Sequence, residues 1–181
     1  MLGGSGSHPV HASCISSTPE YIESQEDIEE SHLLMGNMIT GFSTVGEMGC
    51  GLVAAYNILV SQGCGVSFMD VYNVAVELGV LHFDGLYPDE VNKIIITIDP
   101  AISLYRGSNP QCVLIQYVYI DGDSDGIADG GHFVAAINNG DGLYRVFNDP
   151  CHASTPMNLN DFIHAHNSSP YIQAVYSWGY N

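Results

Sequence analysis

The sequence predicts an α+β domain in which N-terminal helices pack on an antiparallel β-sheet. The helical patterns of the first half cover residues 50–61, 68–78 and 88–96. The β-branched and aromatic runs of the second half cover residues 112–120, 131–137, 143–148 and 171–177. Because the helices precede the strands instead of alternating with them, this order is typical of an α+β fold and not of a parallel sheet.

The length of 181 residues and the hydrophobic fraction of 46% fit one domain with a substantial core. The first 20 residues are rich in Gly, Ser and Pro, and residues 20–30 are strongly acidic. We therefore expect residues 1–35 to form a flexible or acidic N-terminal arm. Residues 36–181 should form the folded domain.

The helix predicted at residues 50–61 should lie at the centre of the domain. Its residues are apolar on nearly every side, which is the pattern of a buried helix, and Gly63 should end it. Ser67 is placed to cap the next helix, and Gly79 is placed to end it. Pro88 suits the first turn of a third helix, because that position needs no amide hydrogen.

The stretch 112–120 is a continuous apolar run, which is typical of a central strand. Residues 138–142 read Asn-Asn-Gly-Asp-Gly, and such a turn is a strong hairpin signal. The strands at 131–137 and 143–148 should therefore be antiparallel neighbours. A short helix at 158–164 should follow them, and the strand at 171–177 should close the sheet.

The charge balance excludes two classes of partner. Lys and Arg total 3 against 20 Asp and Glu, for a formal net charge of -17. So few cations cannot neutralise phosphates, which argues against nucleic acid and against an anionic membrane surface. The acidic excess favours a peptide or protein substrate with basic character, a protein partner or inhibitor, or cation binding. No apolar run reaches membrane-spanning length.

A cysteine at the start of the central helix is the candidate nucleophile. Cys50 lies between Gly49 and Gly51, and we expect these glycines to let a substrate backbone approach the sulfur. A helix N-terminus carries about half a positive charge, which stabilises a thiolate there. The odd total of five cysteines leaves at least one free thiol. The alternative is a small apolar residue that is buried and inert, as free cysteines usually are.

A thiolate nucleophile needs a base, and the base needs an orienting group. His132 begins the strand at 131–137, and Asp149 follows the strand at 143–148. Because these strands are predicted antiparallel neighbours, the start of one lies beside the end of the other, so His132 and Asp149 should face each other. Asn148 is a second candidate for the orienting group, although its side chain should point to the opposite face. The alternative is a polar rim where strands end.

Together these motifs resemble the papain-like cysteine peptidases. The motifs are a Cys-Gly at a helix start, a later His-Phe-Val strand and a following Asp-Pro, and they span about residues 43–150. The resemblance points to a bacterial branch whose members include peptidases that cut leader peptides after a double glycine. It implies a papain-like fold, with Cys50 as nucleophile, His132 as general base and acid, and Asp149 as the orienting group. It also implies acyl transfer through a Cys50 thioester, most simply hydrolysis of a peptide or amide bond.

The residues before the cysteine depart from the pattern of that family, in which a glutamine usually helps to form the oxyanion hole. Residues 42–47 read Phe-Ser-Thr-Val-Gly-Glu and contain no glutamine. Thr44 and Asn37 are the candidate side-chain donors in its place, beside the Cys50 backbone N–H. Because the loss of one donor lowers the rate by about 10²- to 10³-fold, weak or specialised activity is one expectation.

An acidic loop directly precedes His132 and resembles a calcium loop of the EF-hand or thrombospondin-repeat type. The candidate ligand positions are Asp121, Asp123, Asp125, Ile127 and Asp129. Carboxylates this close repel one another unless a cation such as Ca²⁺ lies between them, so the loop predicts calcium binding. The alternative is an acidic hairpin loop in an acidic protein.

The usual glutamate at the twelfth position of such a loop is replaced by His132. If calcium binds, it would order the loop that positions the candidate base, and activity would depend on calcium. No cofactor is required for the chemistry itself.

Two non-enzymatic interpretations stay open beside the hydrolase. A catalytically weak or inactive papain-like binding module would engage a partner through its acidic surface, which the missing glutamine favours. A calcium-stabilised extracellular adhesion domain would leave the cysteine incidental. The linker-like N-terminus also suits an effector or toxin domain that is secreted or delivered out of a bacterial cell, although no signal peptide is visible. Sequence cannot separate peptidase, deamidase, transglutaminase and peptidoglycan amidase activities.

Overall fold

A computed structural model describes residues 20–38, 41–120, 122, 124–125, 130–149 and 155–181. Its α-helices are α1 (Val45–Met48), α2 (Cys50–Ser61), α3 (Phe68–Leu78), α4 (Pro88–Ile98) and α5 (Leu159–Asn167). Its strands are β1 (Leu34–Met38), β2 (Gly41–Thr44), β3 (Leu104–Tyr105), β4 (Cys112–Tyr119), β5 (Gly131–Asn138), β6 (Tyr144–Phe147) and β7 (Ile172–Tyr180). A 3₁₀ turn at Glu29–His32 precedes β1.

Five of the strands form one antiparallel sheet in the order β3-β7-β4-β5-β6, and β1 and β2 form a separate hairpin. In the register of β4 and β5, Tyr117 pairs with His132 and Gln116 pairs with Phe133. Helices α2, α3 and α4 precede the large sheet in the chain. This mixture of helices and an antiparallel sheet confirms the predicted α+β class.

Helix α2 is buried along most of its length, because its residues are apolar on every side. Leu52, Ile58 and Leu59 have no exposed surface. The helix packs against β5 on one side and against α3 and α4 on the other. Its first turn therefore lies beside the first residues of β5, where a Cβ placed on Gly51 would lie 3.5 Å from the Phe133 ring.

Strands β4 and β5 are buried on both faces, which explains their continuous apolar sequence. Leu114 and Phe133 belong to the core on the α2 side of the sheet. Tyr117 and Val134 belong to a second core, to which α5 contributes Phe162. Because side chains alternate along a strand, a different set of residues lies on each face of the sheet at the end of β5.

Most predicted elements coincide with the observed ones. The helices expected at residues 50–61 and 68–78 are α2 and α3, and the helix expected at 88–96 is α4, which continues to Ile98. The sequence did not predict the β1–β2 hairpin, the short helix α1 or strand β3. Within the described residues, no helix is both long enough and apolar enough to cross a membrane.

The described part of the predicted N-terminal arm, residues 20–35, packs against the domain. The Asn57 side chain of α2 accepts a hydrogen bond from the Ile22 N–H and donates one to the Ile22 carbonyl, both at 2.9 Å. The Tyr21 ring packs against Phe147 at the end of β6, with the ring centroids 4.4 Å apart. These contacts attach the segment to α2 and to β6, the two elements that flank the candidate site.

Candidate active site

Cys50 lies where the edge of β5 has no β6 residue opposite it. In the described register, β6 pairs with β5 over residues 135–138 and does not reach Phe133. The backbone amide of Phe133 is instead close enough to the Cys50 thiol to lower its pKa, as are the amides of Cys50 and Gly51 at the start of α2. Amide donors that converge on one sulfur favour negative charge there.

Burial nevertheless raises the pKa of the Cys50 thiol above its usual value, because the thiolate loses its hydration. The hydrogen bonds from Phe133, Gly51 and Cys50 lower the pKa but do not offset the burial. Only 8% of the residue is exposed. The helix N-terminus alone therefore does not stabilise the Cys50 thiolate as expected. A base is needed to remove the proton from the thiol.

The two glycines beside the cysteine serve internal packing. A Cβ on Gly49 would lie 2.4 Å from the Val45 carbonyl oxygen. A Cβ on Gly51 would lie 3.1 Å from the Val91 side chain and 3.2 Å from the Leu86 side chain. The expectation that both glycines leave room for a substrate backbone is wrong, because the protein itself fills the space beside each of them.

A backbone carbonyl holds the ring of His132. Its Nε2 lies 2.5 Å from the carbonyl oxygen of Asn148. Because a carbonyl oxygen only accepts hydrogen bonds, Nε2 carries the hydrogen, and in the neutral ring Nδ1 is then the proton acceptor. His132 directly precedes Phe133, whose N–H contacts the Cys50 thiol. The candidate base and the contact that holds the candidate nucleophile are therefore adjacent along β5.

The Asp149 carboxylate is buried among side chains of β4 and α5. Its Oδ2 accepts a hydrogen bond from the Tyr117 hydroxyl at 3.3 Å and lies 3.8 Å from Nε2 of His166. The His166 ring stacks on the Tyr117 ring with a centroid distance of 4.5 Å. Among the described residues, no hydrogen bond or ion pair joins His132 to Asp149. The carbonyl of the preceding residue makes the contact that was expected of Asp149, whose own role stays a prediction.

Asn148 has a left-handed backbone conformation with a φ of 64°, which non-glycine residues rarely adopt. Its N–H donates to the Glu23 carbonyl at 3.0 Å. Its side-chain oxygen accepts from the Gln25 N–H at 3.0 Å, and its side-chain amide donates to Gln25 Oε1 at 3.1 Å. These contacts with residues 23 and 25 hold the conformation in which the Asn148 carbonyl meets the His132 ring.

A pocket of about 750 Å³ lies beside these groups. His132, Asn148 and Asp149 line it on one side, and Gly46 of α1 lines it on another. The other acidic side chains of the lining are Glu23, Glu26, Asp27 and Glu47. Cys50 is not among the lining residues, in agreement with its burial. The pocket is large enough for a peptide segment, and its negative charge favours cationic groups.

Of the two candidate oxyanion donors, Thr44 lies in the pocket wall. Its N–H and its hydroxyl both donate to Glu47 Oε2, at 2.9 Å and 3.1 Å, in the cap of α1. Asn37 lies in β1 opposite Phe42. The expectation that its side chain donates to an oxyanion falls on a side chain outside the described part of the structure.

Most of the predicted calcium loop lies outside the described residues. Asp125 is described and exposed, whereas Asp121, Asp123, Ile127 and Asp129 fall outside. Within the part of the chain that is described, no group of three or more His, Cys, Asp or Glu side chains is arranged to hold a metal ion. Calcium binding by the loop stays a prediction.

Sequence reasoning missed Gln25 and the Asn148 carbonyl. Asn148 carried a signal, since asparagine is enriched among non-glycine residues with a left-handed backbone, but the sequence prediction concerned only its side chain. Gln25 carried none, because it lies in an acidic stretch and 123 residues separate it from Asn148. The pairing depends on the tertiary fold, which brings residues 20–27 across the end of β6.

Comparisons with models of known families, with curated proteins and with solved structures found no match.

Proposed function

We propose that this chain is a papain-like cysteine-dependent hydrolase that cleaves a peptide or amide bond. One observation carries the proposal. The Phe133 N–H contacts the Cys50 thiol, while the Asn148 carbonyl holds Nε2 of the adjacent His132 and leaves Nδ1 as the proton acceptor. A thiol, a nearby base and a group that orients the base are what nucleophilic catalysis requires.

In the proposed reaction, Nδ1 of His132 accepts the Cys50 proton as the sulfur attacks the carbonyl carbon of the substrate. The resulting imidazolium donates that proton to the leaving nitrogen, the C–N bond breaks, and a thioester remains. Water then loses a proton to His132 and attacks the thioester, and the sulfur leaves and regains a proton. N–H groups at the start of α2 would stabilise the oxyanion in both steps.

The burial of Cys50 supports general-base chemistry over a preformed ion pair. Because burial raises the pKa of the thiol, the resting site holds a neutral thiol at pH 7. Proton transfer to His132 would then accompany the attack of the sulfur. In this scheme the Asn148 carbonyl orients the ring, and the Asp149 carboxylate, one residue further along the chain, stabilises the imidazolium through its negative charge.

The acidic lining of the pocket supports a substrate with cationic side chains. Glu23, Glu26, Asp27 and Glu47 supply negative charge around His132, and charge of one sign along a cleft attracts ligands of the other. A calcium-dependent activity and a role as a secreted effector or toxin domain belong to the same proposal. Their support is the loop sequence and the acidic balance of the chain.

A second candidate function is a binding module that uses the acidic pocket without chemistry. The burial of Cys50 favours it, since an inert structural cysteine is buried and has a raised pKa. The cap contacts of Thr44 favour it too, because they commit a candidate oxyanion donor to Glu47. The two functions differ in whether His132 affects the reactivity of Cys50.

The test is the rate at which iodoacetamide alkylates Cys50 as a function of pH, in the wild type and in His132→Ala. Peptide mapping by mass spectrometry resolves each cysteine. Cys64 is the internal control, because it is more exposed than Cys50, and burial together with the neighbouring Asp99 raises its pKa to about 12. Solvent access alone would make Cys64 react faster than Cys50.

For a hydrolase we expect Cys50 to react about tenfold or more faster than Cys64 near pH 7, and we expect this advantage to disappear in His132→Ala. The Cys64 rate should be equal in the two proteins. If Cys50 is the slower thiol, or if its rate does not change in His132→Ala, the binding module becomes the better account. Repeating the series with calcium and with a chelator tests whether the acidic loop affects the site.

A further inference from the structure

We propose that Gln25 is a positioning residue that holds the candidate base in its working tautomer, a role that rests on the hydrolase function proposed above. Gln25 does so by fixing Asn148, whose carbonyl takes the Nε2 hydrogen of His132. Gln25 also links Asn148 and His132 to α1, the short helix that leads into Cys50. A segment that the sequence assigned to an acidic arm thereby becomes part of the active site.

The contacts between Gln25 and Asn148 are reciprocal and buried. The Gln25 N–H donates to Asn148 Oδ1 at 3.0 Å, and Asn148 Nδ2 donates to Gln25 Oε1 at 3.1 Å. Gln25 is 8% exposed and Asn148 is 5% exposed. Hydrogen bonds shielded from water in this way are costly to break, because a buried polar group that loses its partner stays unsatisfied.

The conformation of Asn148 explains why these contacts matter for the base. With a φ of 64°, the residue has a left-handed conformation that asparagine adopts more readily than other residues with a Cβ, and its contacts with residues 23 and 25 stabilise it further. In this conformation the Asn148 carbonyl oxygen lies 2.5 Å from His132 Nε2. Without Gln25 we expect the peptide to relax and the carbonyl to leave the ring.

A third contact of Gln25 reaches the cysteine side of the site. Its Nε2 donates to the Gly46 carbonyl at 2.9 Å. Gly46 belongs to α1, which is joined to α2 through Gly49, and Cys50 is the first residue of α2. One side-chain amide therefore contacts both the residue that orients His132 and the turn that precedes the nucleophile.

The segment that carries Gln25 has several attachments to the domain that do not use the Gln25 side chain. Asn57 forms two hydrogen bonds with Ile22, Arg145 pairs with Glu23, and the Glu23 carbonyl accepts from the Asn148 N–H. The segment is thus attached to α2 and β6 independently of the Gln25 side chain. Changing that side chain should alter the site without releasing the segment.

The experiment reads the tautomer of His132 by long-range ¹H–¹⁵N correlation of its ring, with the signal assigned by its absence in His132→Gln. Gln25→Met keeps the shape of the side chain and removes its polar atoms. Gln25→Glu keeps an acceptor for Asn148 Nδ2 and loses the donor to Gly46. Asn57→Ala is the matched control, because it removes the other reciprocal amide contact of the same segment without touching Asn148.

We expect wild type, Gln25→Glu and Asn57→Ala to show the Nε2–H tautomer of His132. Gln25→Met should show a mixture of the two tautomers, together with a fall of about tenfold in the Cys50 alkylation rate near pH 7. Asn148→Asp removes the same Nδ2 to Oε1 contact from the other side and should reproduce the mixture, so a poorly folded Gln25→Met would not leave the question open.

Unchanged tautomers in both Gln25→Met and Asn148→Asp would overturn the assignment, and so would an equal change in Asn57→Ala. The tautomer is measured without any substrate or reaction. If Cys50 proves unreactive while the tautomer depends on Gln25, the positioning contact exists and the hydrolase function fails. If Cys50 is reactive and the tautomer of His132 does not depend on Gln25, the hydrolase function stands and the proposed role of Gln25 fails.

Discussion

The two halves of the candidate site are held in place by different forces. The cysteine half is packed: Cys50 lies at the edge of the apolar core, and its neighbours Gly49 and Gly51 fit against other atoms of the protein with little space. The histidine half is hydrogen-bonded: His132 and Asn148 line an acidic pocket, and Asn148 keeps its conformation through polar contacts with residues 23 and 25.

This difference assigns separate tasks to the two halves. Close packing fixes the position of the Cys50 sulfur but also excludes water, which raises the pKa of the thiol. Hydrogen bonds select one tautomer of His132 and leave it next to solvent, where it can exchange protons. Under the proposed hydrolase function, activation of the thiol must therefore come from the histidine half, and each half should respond to a different kind of substitution.

The largest effect is expected from crowding the cysteine half. In Gly49→Ala the new Cβ would meet the Val45 carbonyl oxygen at 2.4 Å, so the backbone of α1 must move, and we expect the free energy of unfolding to fall by about 3 kcal/mol. Urea denaturation measures this loss. Gly51→Ala is the control, because its Cβ would meet only side chains at 3.1 Å and 3.2 Å, and we expect a loss of about 1 kcal/mol or less. Equal losses would show that packing at Gly49 is not special.

A smaller effect is expected from the histidine half, where backbone conformation and hydrogen bonds can be separated. Asn148→Gly and Asn148→Ala both remove the side-chain contacts with Gln25, but only alanine keeps a Cβ at a φ of 64°. We therefore expect a loss of about 2 kcal/mol for glycine and of about 1 kcal/mol more for alanine. Denaturation of the two variants side by side gives the difference. If alanine is no worse than glycine, the left-handed conformation carries no strain.

The apolar core, to which Cys50 and Cys112 both belong, should also make the protein sensitive to alkaline pH. Burial raises the pKa values of the Cys50 and Cys112 thiols above their usual value of 9.0. Above that value the unfolded chain loses these protons while the folded chain keeps them, so the contribution of the two thiols to stability is full below pH 9.0 and falls as the pH rises. Each such thiol contributes a slope of at most about 1.4 kcal/mol per pH unit.

The measurement is the free energy of unfolding from about pH 8 to about pH 10, in the wild type and in Cys112→Ala. The variant should be less stable at every pH because it loses a buried side chain, but its slope against pH should be shallower. Parallel curves for the two proteins would mean that the Cys112 thiol ionises at the same pH in the folded and unfolded chains.

The difference between the packed half and the hydrogen-bonded half of the site also explains which features the sequence could predict. Helix α2, the strands β4 and β5 and the position of Cys50 follow from local patterns of apolar residues and from capping residues, which act over a few positions. The contacts of His132 depend on where β6 ends and on Gln25, which lies 123 residues before Asn148. No local pattern specifies a hydrogen bond over that distance.

The glycines beside Cys50 show the limit within a local motif. A Gly-Cys-Gly sequence predicts that the two glycines occupy little space, and they do so in the structure. The sequence does not tell whether that space is left for a substrate or filled by the protein, and the side chains of Leu86 and Val91 fill it. Which of the two applies depends on the packing of α4 and the loop before it against α2.

The smallest effect is expected at Tyr117, and it tests how Asp149 acts. In Tyr117→Phe the hydroxyl that donates to Asp149 Oδ2 is lost while the ring keeps its place between His132 and His166, so we expect a loss of about 1 kcal/mol in unfolding free energy. If the Asn148 carbonyl orients His132, the Cys50 alkylation rate should stay within about twofold of the wild type, because this hydroxyl lies outside that contact. A fall of about tenfold or more would instead make Asp149 the group that orients the base, as the motif order alone suggests. Tyr176→Phe is the control, since that side chain is 53% exposed and its loss should change neither quantity.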